Sequence, residues 1–540
     1  MLRPSDATAG SELPFDLRKT MGAIESALKS NRLDEAENLC NRVLGRMPQF
    51  PPALFFLAIV STRRGDPQLS IELLRQVVSA EPKAVQAVEA LGKLLVIDGQ
   101  TEEGLVHLKR ACELAPSADL FLHLAVALSN AERYAEAEPW FEQAVNLEPQ
   151  FHVAYEPWAA NLQVLGRFDR AKAVLRRAIE LQPTFPGPYL SLVHLGRVTA
   201  DDEHLAARLA AMLDDESRSK DELRQLNYAL GKVLSDLGRY KDAMKRFDSA
   251  NALAFEVLLK SKPFDLSNLS RWVDRQISAV TPACLSENRS MGIQTDTPIF
   301  IVGMIRSGTT LTEQILSSHS EIASAGEVVF WSDAKRMALA DHLAAGLPDA
   351  TELRSTAKAY SEMLERPRHG RKHVIDKMPF NYLTLGLINM ALPNARIIHC
   401  RRAPVDTCLS IYMTPFQEGA AFCYRRPSIV AAYKEYLRII AHWRSVLPAD
   451  RFLEVDYESI VADRELAARE MVEFCGLDWD DACLHPDRNT RTVDTPSRWQ
   501  VRQPIYDTSI DKWLHFQPWL REFESLLPPP DSPRPSKVSP

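Results

Sequence analysis

The sequence predicts an α + α/β chain: an all-helical repeat array followed by an α/β domain built on a parallel sheet. Three observations predict it. A proline recurs in one context at nearly constant spacing through the first half. Glycine is scarce, 21 of 540 residues, which favours helix. In the second half, short β-branched runs lead directly into loops rich in Arg, Ser and Thr.

The prolines are Pro48, Pro82, Pro116, Pro149 and Pro183, separated by 34, 34, 33 and 34 residues. Seventeen residues before four of them stand Asn31, Gly65, Gly99 and Gly166; before Pro149 the position holds Glu132, a departure. Ala137, Phe141 and Ala144, like Ala171, Leu175 and Ala178, place small, large and small side chains on one helix face. Small residues let two helices approach closely, and Pro is tolerated where a helix begins because its missing N–H has no partner there anyway. A sixth unit follows Gly238-Arg239-Tyr240, with Ala243, Phe247 and Ala250 at matching offsets. Residues 196–225 read as helical but degenerate. This 34-residue helix-turn-helix resembles the tetratricopeptide repeat. The resemblance implies a solenoid with a concave face, which either docks a peptide or protein or scaffolds and oligomerises the rest.

We divide the chain into an N-terminal extension (1–19), the repeat solenoid (20–255), a linker (256–296) with one helix around Arg271–Val280, the α/β domain (297–525) and a Pro/Ser-rich tail (526–540) expected to be disordered. At roughly 150 residues per domain the length allows three to four units. The apolar and charged fractions, 46% and 25%, are those of a globular chain. A net charge of −7 argues against general nucleic-acid binding, which needs a basic surplus. Eight cysteines without C-x-x-C spacing read as buried thiols in a reducing compartment. The N-terminus lacks the apolar core of a secretory signal, and apolar runs fall short of the ~18 residues that span a bilayer. The expected location is cytoplasmic.

Chemistry starts at Ile299-Phe300-Ile301-Val302-Gly303, a buried parallel strand by pattern. It runs into Met304-Ile305-Arg306-Ser307-Gly308-Thr309-Thr310 and then a helical stripe at Leu311, Ile315 and Leu316. Such a strand–loop–helix aims backbone N–H groups at an anion. Arg306 adds a forked cation, and Ser307, Thr309 and Thr310 add hydroxyls. The spacing is that of a phosphate loop, except that Thr309 stands where the phosphate-reaching Lys would be. That substitution disfavours a kinase-like enzyme using ATP and Mg²⁺.

The stretch PIFIVGMIRSGTTLTEQIL resembles the 5′-phosphosulfate loop of sulfotransferases, closest in form to that of protein-tyrosine sulfotransferases, which carry Arg before S-G-T-T. Ile305, where that family has Pro, is a departure bearing on loop stiffness. The resemblance implies a role for each of several further residues. Arg402 and Ser410, after the strand Arg396–Cys400, bind the 3′-phosphate. Glu327 is the general base, and Lys377, in D-K-x-P, contacts the transferring sulfonate and the bridging oxygen. Tyr457 lies against the nucleotide. Ser497 helps hold the sulfonate, and Lys512, fifteen residues later, binds phosphate; Arg502 is an extra cation. By this resemblance, catalytic roles fall to Glu327, Lys377, Arg306 and Ser497, and nucleotide binding to Arg306, Ser307, Gly308, Thr309, Thr310, Arg402, Ser410, Tyr457, Ser497, Arg502 and Lys512. The implied donor is 3′-phosphoadenosine 5′-phosphosulfate (PAPS), with no metal. The acceptor hydroxyl stays open between a protein or peptide tyrosine presented by the repeats and a saccharide, lipid or small metabolite. A non-catalytic nucleotide-binding repeat scaffold is the third reading. No nucleic acid or membrane span is expected, and a homo-oligomer is compatible with the repeats.

Overall fold

The computed structural model describes residues 15–343, 350–416, 420–504 and 507–527. The ends of the N-terminal extension and of the Pro-rich tail, 1–14 and 528–540, lie outside the described residues. The chain divides into two compact units, Met1–Pro183 and Thr184–Pro540.

The first unit is five helix pairs: α1 (Phe15–Lys29) and α2 (Leu33–Leu44), α3 (Pro51–Arg64) and α4 (Pro67–Ala80), α5 (Val85–Ile97) and α6 (Thr101–Leu114), α7 (Ala118–Asn130) and α8 (Tyr134–Leu147), and α9 (Tyr155–Val164) and α10 (Phe168–Leu181). Helix α1 starts at Phe15, inside the stretch read as an extension. The alanines of the repeat pattern, Ala137, Ala144, Ala171 and Ala178, are buried together with Phe141 and Leu175.

Each turn within a pair needs one left-handed residue, which ends the first helix. Asn31, Gly65, Gly99, Glu132 and Gly166 all take it, at φ 53°, 81°, 86°, 59° and 73°. Glu132 therefore fills its turn with a Cβ that the glycine turns lack, at a cost of about 1 kcal/mol. Its side chain is not buried, so packing does not hold it there. Glu132→Gly is expected to raise the midpoint of the repeat unit's thermal transition by the equivalent of about 1 kcal/mol. Gly166→Ala is expected to lower it. An unchanged or lower midpoint for Glu132→Gly would show that this turn carries no strain.

The second unit opens with helices α11 (Pro186–Val193), α12 (Glu203–Leu213), α13 (Lys220–Asp236) and α14 (Tyr240–Val257), then α15 (Leu266–Ala279) and α16 (Pro282–Asn288). Two features of this region go beyond what the sequence pattern shows. The sixth repeat, α13 and α14, packs as part of the second unit. Asn251 Nδ2 donates to Tyr412 O at 2.8 Å, Tyr412 hydroxyl donates to Asp248 at 2.7 Å, and Tyr240 stacks on His515 at 4.7 Å. The stretch 256–296, read as a linker with one helix, holds two helices, and α15 is built into the domain. Trp272 Nε1 donates to Leu383 O and the buried Gln276 Nε2 to Ala340 O. Asp265 and Thr281, polar residues that in composition look like loop, cap these two helices.

The sheet has five parallel strands in the order β2-β3-β1-β4-β5. They are β1 (Pro298–Gly303), β2 (Ile322–Ser324), β3 (His373–Asp376), β4 (Arg396–Arg401) and β5 (Phe452–Asp456). Helices α17 (Thr309–Leu316), α18 (Ala334–Leu343), α19 (Ala350–Arg368), α20 (Leu385–Ala391), α21 (Pro404–Met413), α22 (Arg426–Val446), α23 (Tyr457–Ala462) and α24 (Arg464–Phe474) connect and cover them. Every residue of β1 is buried because both sheet faces are covered. Ile299 and Ile301 join Ile315, Leu316, Met471 and Val472 in one core. Phe300 turns the other way, stacked on Tyr360 at 5.7 Å and edge-on to Trp331. The chain leaves central β1 toward one edge and later returns to the other side with β4. The carboxyl end of β1 is therefore the switch point at which such sheets bind ligands.

Candidate active site

The residues singled out from sequence gather at the carboxyl ends of all five strands. The Arg306 loop joins β1 to α17; Glu327 follows β2; Lys377, Arg402 and Tyr457 are the first residues after β3, β4 and β5. Each strand exit delivers one chemistry-bearing side chain to the same end of the sheet.

The β1 loop is tightly wound. Gly303 lies so close to β4 that a Cβ there would come within 2.5 Å of Cys400 O, and a Cβ on Gly308 (φ 101°) would meet the Tyr457 ring at 2.9 Å. Arg306 takes a left-handed φ of 70°. Its guanidinium joins three segments: Nε donates to Ser410 Oγ at 3.1 Å, Nη1 to Ser497 Oγ at 2.6 Å and Nη2 to Gln500 Oε1 at 3.3 Å. Ser307, Thr309 and Thr310 are buried at the start of α17, and Ser307 Oγ has no hydrogen-bond partner among the described residues. A buried hydroxyl left unpaired at a helix N-terminus suits an anionic oxygen.

Arg402 extends over this loop. It donates to Arg306 O at 3.2 Å and Ser509 O at 2.6 Å, its Nε is buried without a partner among the described residues, and its guanidinium lies 4.9 Å from the centre of the Tyr457 ring. Arg401 turns away to a forked pair with Asp456, at 2.7 and 2.8 Å. Period-two alternation separates these neighbours. The carboxylate of Asp406 accepts from the backbone N–H groups of Asp511 and Trp513, which brings Lys512 beside α21. Lys512 keeps some exposed surface, yet packing around its ammonium pushes its pKa down to about 8. Nearby Lys232 and Arg402 act in the same sense, and Asp236 and Asp406 oppose them. Lys232 and Asp236 belong to α13, so the last repeat reaches this part of the site.

On the other flank Lys377, 1% exposed, donates to Glu327, whose side chain is 41% exposed. The backbone fixes the pair, since Lys377 N donates to Gly326 O at 2.9 Å. Asp376, just before Lys377, is buried under the Tyr360 hydroxyl at 2.8 Å, and desolvation pushes its pKa up to about 7. Arg502 donates from Nη2 to Arg491 O at 2.5 Å, in the loop behind Ser497. Sequence reading missed Glu313, Arg491, Ser324, Gln500 and Ser509. Glu313 carried a signal, an acidic residue inside an otherwise buried helical stripe seven residues after Arg306; the others carried none.

A tightly wound loop, several cations and the half-exposed Glu327 carboxylate thus meet at a parallel-sheet switch point, an arrangement of the phosphate-loop type. Residues 298–481 match a model described as "Sulfotransferase family", and residues 21–85, 57–119, 117–147 and 163–185 match tetratricopeptide-repeat models. The chain thus carries tetratricopeptide repeats and a sulfotransferase-family region. It is 29% identical over 380 residues to an uncharacterised protein of Aquifex aeolicus, covering 68% of this chain and 49% of that protein. It is 24% identical to protein-tyrosine sulfotransferase 2 of Gallus gallus (40% of this chain, 62% of that one) and 25% identical to protein-tyrosine sulfotransferase 1 of Danio rerio (40% and 65%). The chain spans about half to two thirds of the length of these relatives. Among solved structures, the MamA protein aligns over 31% of this chain and 92% of its own, at 21% identity and a TM-score of 0.29. Among the described residues no helix is long and apolar enough to cross a membrane. All eight cysteines are free, and all but Cys284 are buried.

Proposed function

We propose that this chain moves a sulfonate group from PAPS to an acceptor hydroxyl. The observation that carries the reading is the joining of Arg306 to Ser410 and Ser497 beside a Lys377–Glu327 pair, across strand ends distant in sequence. Two buried features fit an anionic nucleotide: the Ser307 hydroxyl and the Arg402 Nε, each without a hydrogen-bond partner among the described residues. In this assignment Ser307, Gly308, Thr309 and Thr310 hold the 5′-phosphosulfate, while Arg402, Ser410 and Lys512 hold the 3′-phosphate. Tyr457 lies against the nucleotide, and Arg502 acts through the loop that carries Ser497.

Glu327 takes the acceptor proton as the acceptor oxygen bonds to sulfur. The bond from sulfur to the bridging oxygen breaks, and Lys377, Arg306 and Ser497 stabilise the charge gathering on that oxygen and on the sulfonate. Adenosine 3′,5′-bisphosphate leaves. Lys377 must turn from Glu327 to the bridging oxygen for this. We take the acceptor to be a protein or peptide tyrosine, in line with the named activity of the chicken and zebrafish relatives, with the repeats as the protein-docking part. We place the chain in the cytoplasm, where eight free thiols persist.

Calorimetric titration with adenosine 3′,5′-bisphosphate and with ATP–Mg²⁺ tests the reading. Tight bisphosphate binding and weak ATP binding are expected. Lys512, with a pKa of about 8, is mostly charged at pH 7 and mostly neutral at pH 9, and a phosphate selects the charged form. Bisphosphate affinity should therefore fall about tenfold from pH 7 to pH 9, a loss absent from Lys512→Met. Preference for ATP–Mg²⁺ would discard the reading. Transfer of ³⁵S from PAPS to a tyrosine peptide, beside small hydroxyl acceptors, tests the acceptor.

A further inference from the structure

Glu313 has no part in the proposed transfer, yet it is one of the most enclosed charges in the domain. Its side chain is 1% exposed on α17, in a helix whose other residues are also buried. A buried carboxylate is costly unless it is paired and hydrogen-bonded, and an apolar residue of similar size would ordinarily serve a helix core better. Glu313 has three partners. Oε1 accepts from Ser324 Oγ at 2.6 Å. Oε2 lies 2.9 Å from Arg491 Nη2, off-axis for a hydrogen bond, and 3.8 Å from Lys377 Nζ.

These contacts reach both halves of the Lys377–Glu327 pair. Ser324 Oγ, which donates to Glu313, accepts from Gly326 N at 3.1 Å, and Gly326 (φ 71°) immediately precedes Glu327. Lys377 is bonded to Glu327 and also faces Glu313. Once Glu327 turns to the acceptor, Lys377 would be left as an unpaired buried ammonium if Glu327 were its only counter-charge. Glu313 is a second one, fixed in the helix of the anion loop. It lies too far for a hydrogen bond, so it balances the charge without tying up the ammonium protons needed at the bridging oxygen.

We propose that Glu313 is a positioning residue: through its charge facing Lys377 and its Ser324 link to the Gly326–Glu327 turn, it holds the lysine in place when the base lets go. This deepens, and rests on, the sulfotransfer reading. Arg491 offsets the remaining charge of Glu313 from the loop that leads to Ser497.

The test uses the full chain, ³⁵S-labelled PAPS and a tyrosine peptide, with release of ³⁵S-sulfate to water followed in parallel. Glu313→Gln is expected to lower turnover at least tenfold while the Kd for adenosine 3′,5′-bisphosphate and the KM for PAPS change less than threefold. In a Lys377→Met background the same change should cost less than a further twofold, because glutamine can still accept from Ser324 Oγ and the lost charge has no lysine left to act on. If Glu313→Gln fails to fold, Ser324→Ala removes only the link to the Gly326 turn, and turnover should fall severalfold with bisphosphate binding intact. Additive losses in the double variant would overturn the assignment, as would parallel losses of bisphosphate affinity and turnover. A wild-type chain that binds bisphosphate and turns over, with unaltered rates in both Glu313→Gln and Ser324→Ala, would remove Glu313 alone. A wild type with neither property would remove the sulfotransfer reading, and Glu313 with it.

Discussion

Glu327→Gln is expected to lower turnover on the order of 10²-fold or more and to leave bisphosphate binding within about threefold of wild type. Glutamine keeps the shape of the side chain and can still meet Lys377, but it cannot accept a proton. Lys377→Met should cost at least as much, because the lysine is the buried cation beside the base and its proposed target is the charge developing on the leaving oxygen. The two changes separate the roles. Single-turnover decay of bound ³⁵S-PAPS should slow in both, whereas only Lys377→Met removes a cation from the nucleotide's 5′ side. Losses below about threefold in both variants would mean that this pair is a strand-end ion pair and that the base lies elsewhere.

Arg402→Ala is expected to weaken adenosine 3′,5′-bisphosphate binding by roughly 10- to 100-fold, the value of one charge-assisted contact at a partly buried site. The arginine is already placed: two backbone carbonyls and the Tyr457 ring hold its guanidinium, and its Nε has no partner among the described residues. Little ordering therefore remains to offset the contact. The control is Arg401→Ala. Arg401 carries the same charge one residue earlier but is forked onto Asp456, so its removal should move the Kd less than threefold. Calorimetry decides it, and equal effects at both positions would mean that binding answers to overall charge rather than to a built phosphate site.

The order of loops in the α/β domain could be read from the sequence because each signal is local. A β-branched run ending in Gly303 and followed by Arg-Ser-Gly-Thr-Thr has one simple geometry, strand, anion loop and helix start, whatever surrounds it. The same holds for Lys377 after His373–Asp376 and for Arg402 after Arg396–Arg401. The repeats were legible for a different reason: one unit that cannot bury its own face recurs, so its small residues and turn position appear many times. Even the departure at Glu132 was visible, and it keeps the left-handed turn that its position imposes.

What the sequence by itself determined is therefore the two architectures and the local strand–loop–helix at Gly303–Thr310, with Lys377, Arg402 and Tyr457 at strand ends. All depend on contacts within a few residues or on a repeated period. Tertiary structure alone decided that α13 and α14 pack with the unit that holds the sheet although they follow the repeat pattern, and that α15 is core rather than linker. It alone brought Arg491 to Glu313 and Ser497 to Arg306 across 178 and 191 residues. Such choices turn on which buried charge finds which partner, and on which apolar face is covered by which neighbour. Those energies arise between segments far apart along the chain, so no local stretch of sequence records them.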